Sequence, residues 1–364
     1  MSTPNPADTS QLIYRSSPIL VGYLTLAAAL AFNACRAIYT RFHARQKNND
    51  WATPSRPAQF LLFTILAALS LGSTWYYMFA FFVHTYRAWE LRSLLSADQL
   101  AELSLVTKLE LWLQNTELFR EAWETVIETP ARFWWSGQIF LWTTWWSVFL
   151  GVMARRFQIP RVWTYMLLGQ IVAISFAQNL FFATILVSSQ PQSSKSKSKS
   201  KETDSKDGRE LAWLPPLSCE ILPVTLSLLS TVLVPSVAHT KYFMATLLIP
   251  HLLLFVPAVL RPSHSSGTIQ TGGDRVARRY IIFFRGYVAI CIVLQAHATY
   301  LAMQATGTTT QVTSYGELAQ RLWSAVYEHP AVSSVSWDVI LCTTSAFAWA
   351  IVNGGNVGRM LGGG

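Results

Sequence analysis

Apolar residues run through this chain in long stretches, separated by short polar connections. A membrane-spanning helix takes about 20 mostly apolar residues. Eight stretches reach or approach that length: roughly 17–40, 58–86, 133–154, 162–188, 217–238, 241–260, 280–303 and 335–353. The pattern predicts an all-α, polytopic transmembrane helical bundle of about eight spans, with seven as the alternative, forming a single integral-membrane domain over residues 1–364. The fifth and sixth stretches hold Pro223, Pro235, Pro250 and Pro257. Proline-broken helices at membrane depth line a cavity or pack tightly against neighbours.

Two connections differ from the rest. Residues 87–132 are amphipathic: Leu100, Leu103, Leu111, Leu118 and Val126 recur at helix-like spacing among acids. This predicts an interfacial amphipathic connection lying on the membrane surface. Residues 189–212 contain "SSKSKSKSKE", a low-complexity Ser/Lys-rich tract that cannot build a core and is expected to be disordered.

Composition agrees with the pattern. The chain is 51% hydrophobic and only 13% charged, and its mean hydropathy is +0.29. The formal charge of +9 is no nucleic-acid signal, because the bases sit in short loops between apolar runs. That placement marks cytoplasmic loops. Arg41, Arg45, Lys47 and Arg56 follow the first stretch, and Arg155, Arg156 and Arg161 follow the third. The 87–132 connection carries eight acids against five bases and belongs on the opposite side. Arg261, Arg275, Arg278 and Arg279 again argue for the cytoplasm, which eight full crossings would forbid. Either the 217–260 block crosses once or the charge rule fails there. The four cysteines form no CxxC pair and read as packing residues.

The chain also echoes itself. "ELFREAWETVIETPARFWWSGQIFLWTT" from Glu117 and "ELAQRLWSAVYEHPAVSSVSWDVILCTT" from Glu317 align without a gap at eleven identities. Each is an amphipathic turn, then E-x-P-A, then a span. Proline suits a helix start, where its missing N–H is not needed. The echo is either a shared entry device or a duplicated helix-plus-span unit of the kind that builds pseudo-symmetric membrane folds. In this register Gln138 stands opposite Asp338.

Candidate chemistry follows. Asp338 is the one aspartate of seven inside an apolar stretch, at the mouth of the last one beside Trp337. Burial penalises an ionised carboxyl, so Asp338 is a candidate general acid. Its bland alternative is a helix-start acid or a partner for a base such as Arg285. Glu121 and Glu124 precede the third span and are further candidate acids. With Arg120 and Arg132 close by, their default is a solvated charge cluster, as it is for Glu128 and Glu220. Seven crossings, not eight, would put these glutamates and Asp338 on one membrane face. Trp135, Gln138, Trp142 and Trp145 share one helix face and with Trp337 could wall a polyene pocket; packing is the plainer reading. His251 and His297 lack metal-ligand spacing. No Walker A, GxGxxG, G-x-S-x-G, DDxxD, DxDD or NDxxD motif is present, so no cofactor and no metal are expected.

"FNACRAIYTRF", "PARFWWSGQIFLWTTWWSVFLG", "GQIVAISFAQNLFF" and "HPAVSSVSWDVILC" resemble the membrane-bound terpene cyclases of fungal meroterpenoid clusters, the ascochlorin and ascofuranone type. The resemblance implies a metal-free, multi-pass isomerase that protonates an epoxide on a prenyl or polyene chain and guides ring closure. The expected partners are that hydrophobic substrate, the lipid bilayer and other pathway enzymes at the same membrane, with no nucleic acid. The expected location is the endoplasmic reticulum membrane. Alternatives are an exporter of a hydrophobic metabolite, supported by the echo and the proline-rich block, and a membrane scaffold that recruits enzymes through 87–132.

Overall fold

The computed structural model describes residues 16–48, 56–93, 96–188, 211–260, 268–271, 273–304 and 314–355. Among these, helices α1 (Ser16–Asn48) and α2 (Arg56–Arg92) come first. The surface helices α3 (Ala97–Glu102), α4 (Leu105–Gln114) and α5 (Leu118–Ile127) follow, and then α6 (Pro130–Arg156). Next come α7 (Trp163–Ile171), α8 (Ile174–Val187), strand β1 (Leu211–Leu214), α9 (Ser218–Val237), α10 (Phe243–Leu253) and α11 (Phe255–Val259). Strand β2 (Thr268–Thr271), α12 (Gly273–Gln304), α13 (Tyr315–Glu328) and α14 (Pro330–Val352) complete the order. β1 and β2 pair antiparallel as a short ribbon on an otherwise all-helical fold. Leu211 and Ala212, the end of the stretch expected to be disordered, lie in β1; the rest of 189–212 lies outside the described residues.

Five helices, α1, α2, α9, α12 and α14, are long and apolar enough to cross a membrane. The protein is accordingly a membrane protein built from helices. α6 occupies the interior: Trp146, Leu150 and Met153 have no exposed surface. At Gly151 the backbone of α11 comes so close that a Cβ would collide with the Pro257 carbonyl. Ser147 Oγ donates to the Leu254 carbonyl one turn away.

Contacts fix the direction of every long helix between two faces of the bundle. The start of α1 binds Glu110, through a 3.1 Å bond from the Ser17 amide to Oε2. We term that end the acidic face. The far end of α1 donates from Arg45 Nε to the Val187 carbonyl at 2.8 Å, on the basic face. α2 runs back: Phe63 meets Phe182 and Trp349, whereas Phe81 and His84 meet His329. α6 and α14 both start at the acidic face, where Arg132 Nε bonds Glu328 Oε2 at 3.0 Å. They run parallel, with Phe149 and Trp349 both packed on Phe182. α9 starts at Arg155 on the basic face and ends at Glu124. α10 and α11 return to Arg155, which donates to the Leu260 carbonyl at 3.4 Å. α12 starts at Glu220 and ends where Trp134 Nε1 donates to Thr299 Oγ1 at 2.9 Å.

The stretch 162–188, expected as one span, is a hairpin. Tyr165 near the start of α7 hydrogen-bonds Thr184 near the end of α8 at 2.7 Å and packs its ring on Phe181. α7 therefore enters from the basic face and α8 returns to it. The break lies at Val172 and at Ala173, whose φ/ψ of −170°/140° is extended. Both amides turn back onto the Leu168 carbonyl. Gly169 lets Ala177 and the Trp146 indole approach closely.

The connection 87–132, expected to hold one or two helices, holds three short ones. Its first residues continue α2 to Arg92, and three short helices follow. Ser96 and Gln99 form a capping box on α3, and Ser104 caps α4. α4 buries Glu110 and Trp112 and leaves Leu105 and Val106 exposed. The two E-x-P-A segments do act as entry devices. Thr129 caps α6 and His329 caps α14, each just before a proline at the first helical position.

These directions yield a labelling pattern. In a cysteine-free background within sealed vesicles, single cysteines at Gln46 and Gln158 should react with an impermeant maleimide from one side. Those at Asn115, Thr240 and Gly316 should react only from the other. Labelling of Gln46 and Gln158 from opposite sides would overturn the assignment of the two faces.

Candidate functional site

Asp338 does not sit at a mouth. It lies eight residues after Pro330 in α14, roughly 12 Å into the bundle at 1.5 Å per residue, and is buried. Its Oδ2 accepts from the Ile174 amide at 3.0 Å and its Oδ1 from the Ser175 amide at 2.8 Å. These are the first amides of α8, which has no side-chain cap of its own. An ionised carboxylate suits them twice over, by accepting orphan N–H groups and by facing the positive end of the helix dipole. Asp338 is thus the cap of α8, supplied from another helix. Both oxygens accept amide hydrogens, and neither lies in the acidic-face cavity described next, so the contact gives Asp338 a positioning role.

Glu121 and Glu124 do lie together, in a cavity of about 350 Å³ at the acidic face. Phe81, His84, Thr85, Ala88 and Arg92 of α2 form one wall. Glu121, Glu124 and Thr125 of α5, with Glu128, form another, and His239 and His329 complete it. Asp338 is not among the lining residues. The parallel course of α6 and α14 puts the glutamates on one face with the start of α14, but not with Asp338.

The electrostatics of the cavity are specific. Glu124 Oε1 accepts from Arg120 Nε at 2.9 Å, and its Oε2 lies 3.4 Å from His239 Nδ1. His239 occupies the turn between α9 and α10 with φ of 62°, a left-handed conformation rare outside glycine and asparagine. That conformation sets the imidazole beside Glu124. Glu121 Oε1 accepts from the Glu117 amide at 3.1 Å. Arg132 spans Glu128, at 2.5 Å, and Glu328, at 3.0 Å, tying the two echoed segments together.

His329 has the most defined state. Its Nδ1 accepts the Ala331 amide at 3.2 Å, so the neutral ring carries its proton on Nε2. Its ring stands 4.6 Å from that of His84, nearly perpendicular. Burial first, then the charges of His84 and Arg132, push its pKa down from 6.5 to about 4. A neutral imidazole that donates a hydrogen bond is the result. None of the sequence signals had singled out His84, His239 or His329. The readable clue was that all three fall at the acidic-face ends of apolar stretches.

The aromatic candidates pack elsewhere. Trp135 is buried and its indole donates to the Leu322 carbonyl at 2.7 Å. Trp142 and Trp145 stand edge to face at 5.4 Å, and Trp145 stacks on Phe149. Gln138 donates back to the Trp134 carbonyl within α6, so it has no counterpart to the capping by Asp338. Trp337 lies against the main core. None of the five lines the cavity.

Glu220, expected as a solvated acid, is 1% exposed. It accepts from Arg279 Nη2 at 2.6 Å, Tyr280 OH at 2.7 Å and Arg155 Nη2 at 3.4 Å. This network joins α6, α9 and α12 at the basic face. Among the described residues no three His, Cys, Asp or Glu side chains converge to hold a metal ion. Comparison with protein-family profiles, curated proteins and solved structures finds no match.

Two outcomes follow. Asp338→Ala should cost about 2–4 kcal/mol, since two charge-assisted bonds to buried amides are lost. A lowered unfolding midpoint in detergent measures it, and an unchanged midpoint would remove the capping role. For His329 the folded pKa is depressed. The stability it contributes is therefore complete above about pH 6.5 and lost as pH falls toward about 4. The wild-type midpoint should drop over that window more than that of His329→Asn, which offers an amide oxygen in place of the capping Nδ1 but cannot titrate.

Proposed function

We propose that this chain is an integral-membrane, epoxide-opening cyclase that works at the acidic-face cavity on a prenyl or polyene chain. One observation carries the reading: carboxylates and imidazoles of different character share a single cavity at the edge of an apolar bundle. Neighbouring titratable groups held in different states are how acid and base roles are divided.

In this reading the imidazolium form of His239, reached by taking up a proton beside Glu124, delivers that proton to the epoxide oxygen. His329 Nε2–H donates a hydrogen bond to the same oxygen as its C–O bond breaks. An alkene or hydroxyl of the same chain attacks the carbon released, and a proton leaves to the Glu121 carboxylate. Atoms and charge balance, so the product is an isomer of the substrate and no cofactor takes part. The apolar tail stays in the bilayer while its reacting end reaches the interface. Asp338 takes no proton in this scheme; it holds the hairpin.

The proposal includes a topology of seven crossings plus the re-entrant hairpin. Arg41, Arg45, Arg56, Arg155, Arg156 and Arg279 then all fall on the basic face, which the charge rule makes cytoplasmic. The acidic face is lumenal, in the endoplasmic reticulum. A hairpin with a polar tip also suits the second reading, an exporter of a hydrophobic metabolite.

Microsomes carrying the protein, fed an epoxidised prenyl-phenol, should yield a cyclised isomer of unchanged mass. Glu124→Gln and His239→Gln should each lower turnover by about 10²–10⁴-fold. Transfer of unaltered substrate across sealed vesicles, with no isomer from any epoxide, would favour the exporter and sink the cyclase.

A further inference from the structure

Two corners of the chain meet at the acidic-face cavity. The α5–α6 corner supplies Thr125 and Glu128, and the α13–α14 corner supplies His329. Each corner is locked from within. Ser136 Oγ of α6 donates to the Val126 carbonyl at 2.7 Å, and Ser333 Oγ of α14 donates to the Val326 carbonyl at 2.7 Å. Val126 and Val326 are counterparts in the echo. Apolar packing then presses the corners together through Val126, Ile127, Ala331 and Val332. Such packing is non-directional and leaves their register to other contacts.

Arg132 supplies a directional contact. Its Nη1 donates to Glu128 Oε2 at 2.5 Å and to the Thr125 carbonyl at 3.4 Å. Its Nε donates to Glu328 Oε2 at 3.0 Å, across to the other corner. Its own backbone is fixed, because the Arg132 amide donates to the capping Thr129 Oγ1 at 3.3 Å. Glu128 and Glu328 are counterparts in the echo, one on each corner, but the arginine is not duplicated. Its counterpart is Val332, which is buried. A single guanidinium therefore serves both corners, and its planar fork holds its acceptors in set directions. Arg132 does not itself line the cavity. Glu128 and Glu328 are 58% and 42% exposed, so the pairs add little to stability. What they constrain is geometry, since Glu328 directly precedes His329.

We propose that Arg132 is a positioning residue of the acidic-face cavity, setting the distance between the wall of Thr125 and Glu128 and the His329 imidazole. Its bearing on turnover rests on the cyclase reading, and its bearing on His329 does not. The charges facing His329 are those of His84 from α2 and Arg132 from α6, with Glu328 next to it in the chain. Loss of the guanidinium removes a positive charge from beside the imidazole and releases two carboxylates. Both changes favour the imidazolium form.

The full-length protein in nanodiscs, carrying isotope-labelled histidine, reports the His329 titration by NMR, with His329→Asn to assign the signal. Arg132→Gln should raise its midpoint by about 1 pH unit. Arg132→Lys, which keeps the charge, should raise it less. An unchanged midpoint in Arg132→Gln would overturn the proposal. Turnover of the epoxidised prenyl-phenol separates positioning from charge. Arg132→Gln and Glu328→Gln should each lower kcat about tenfold, with KM changed less. The double variant should be no worse than the poorer single one, because both changes remove the same bridge. Additive losses, or an unchanged kcat in Glu328→Gln, would also overturn it. Glu328→Gln is a small change at a half-exposed side chain, so it decides the matter if Arg132→Gln folds poorly. A wild-type protein that yields no isomer would sink the cyclase reading, while the histidine titration still decides the role of Arg132.

Discussion

The carboxylate of Asp338 meeting the first two amides of α8 is the contact on which the rest of this structure turns. A helix that begins inside a packed apolar bundle leaves its first N–H groups where water does not reach them. α8 begins there because α7 stops after nine residues and turns back. The break is tolerable only where acceptors are supplied from outside the segment. Leu168 supplies one at the turn, and α14 supplies the rest through Asp338. Tyr23 OH closes the other side by donating to the Ile171 carbonyl at 2.5 Å. Two distant parts of the chain, α1 and α14, thus converge on one interrupted helix.

That interruption sets the sidedness of everything after it. Because the hairpin returns to the face it left, α9 begins at the basic face, beside Arg155. The charge conflict in the sequence then disappears: Arg279 reaches the same face as Arg155, and both bind Glu220. The acidic face collects α4, α5 and α13, the glutamates, and the three histidines of the cavity. Most charge is gathered at the two ends, and around the buried Asp338 the middle holds aromatic stacking, such as Phe182 on Trp349 at 4.5 Å.

The helices were legible because apolar length is a strong signal: each of the eight stretches is helical. The hairpin was not, because "GQIVAISFAQ" reads as one apolar run with no proline at its break. Its cause lies 164 residues away in sequence. The same limit explains Asp338, which looked like a mouth residue because only its own helix was visible. Glu220 looked solvated for that reason too, since Arg279 and Tyr280 arrive from a later helix. Glu121 and Glu124 were found by their charge. Their histidine neighbours come from α2, from the α9–α10 turn and from the start of α14, and only the fold gathers them. In the E-x-P-A entry the proline at the helix start was legible because it is a local device, whereas the caps Thr129 and His329 came only with the fold.

The order of synthesis gives the capping contact a further meaning. The chain is made from its N-terminus, so α8 leaves the ribosome long before α14. Until the last helix inserts, the hairpin tip has amides without acceptors. Nor does Gln178 yet have the Cys342 carbonyl of α14 to meet. α14 is therefore what completes the hairpin, and a chain that lacks it should display an unfinished polar tip to the quality-control machinery of the membrane.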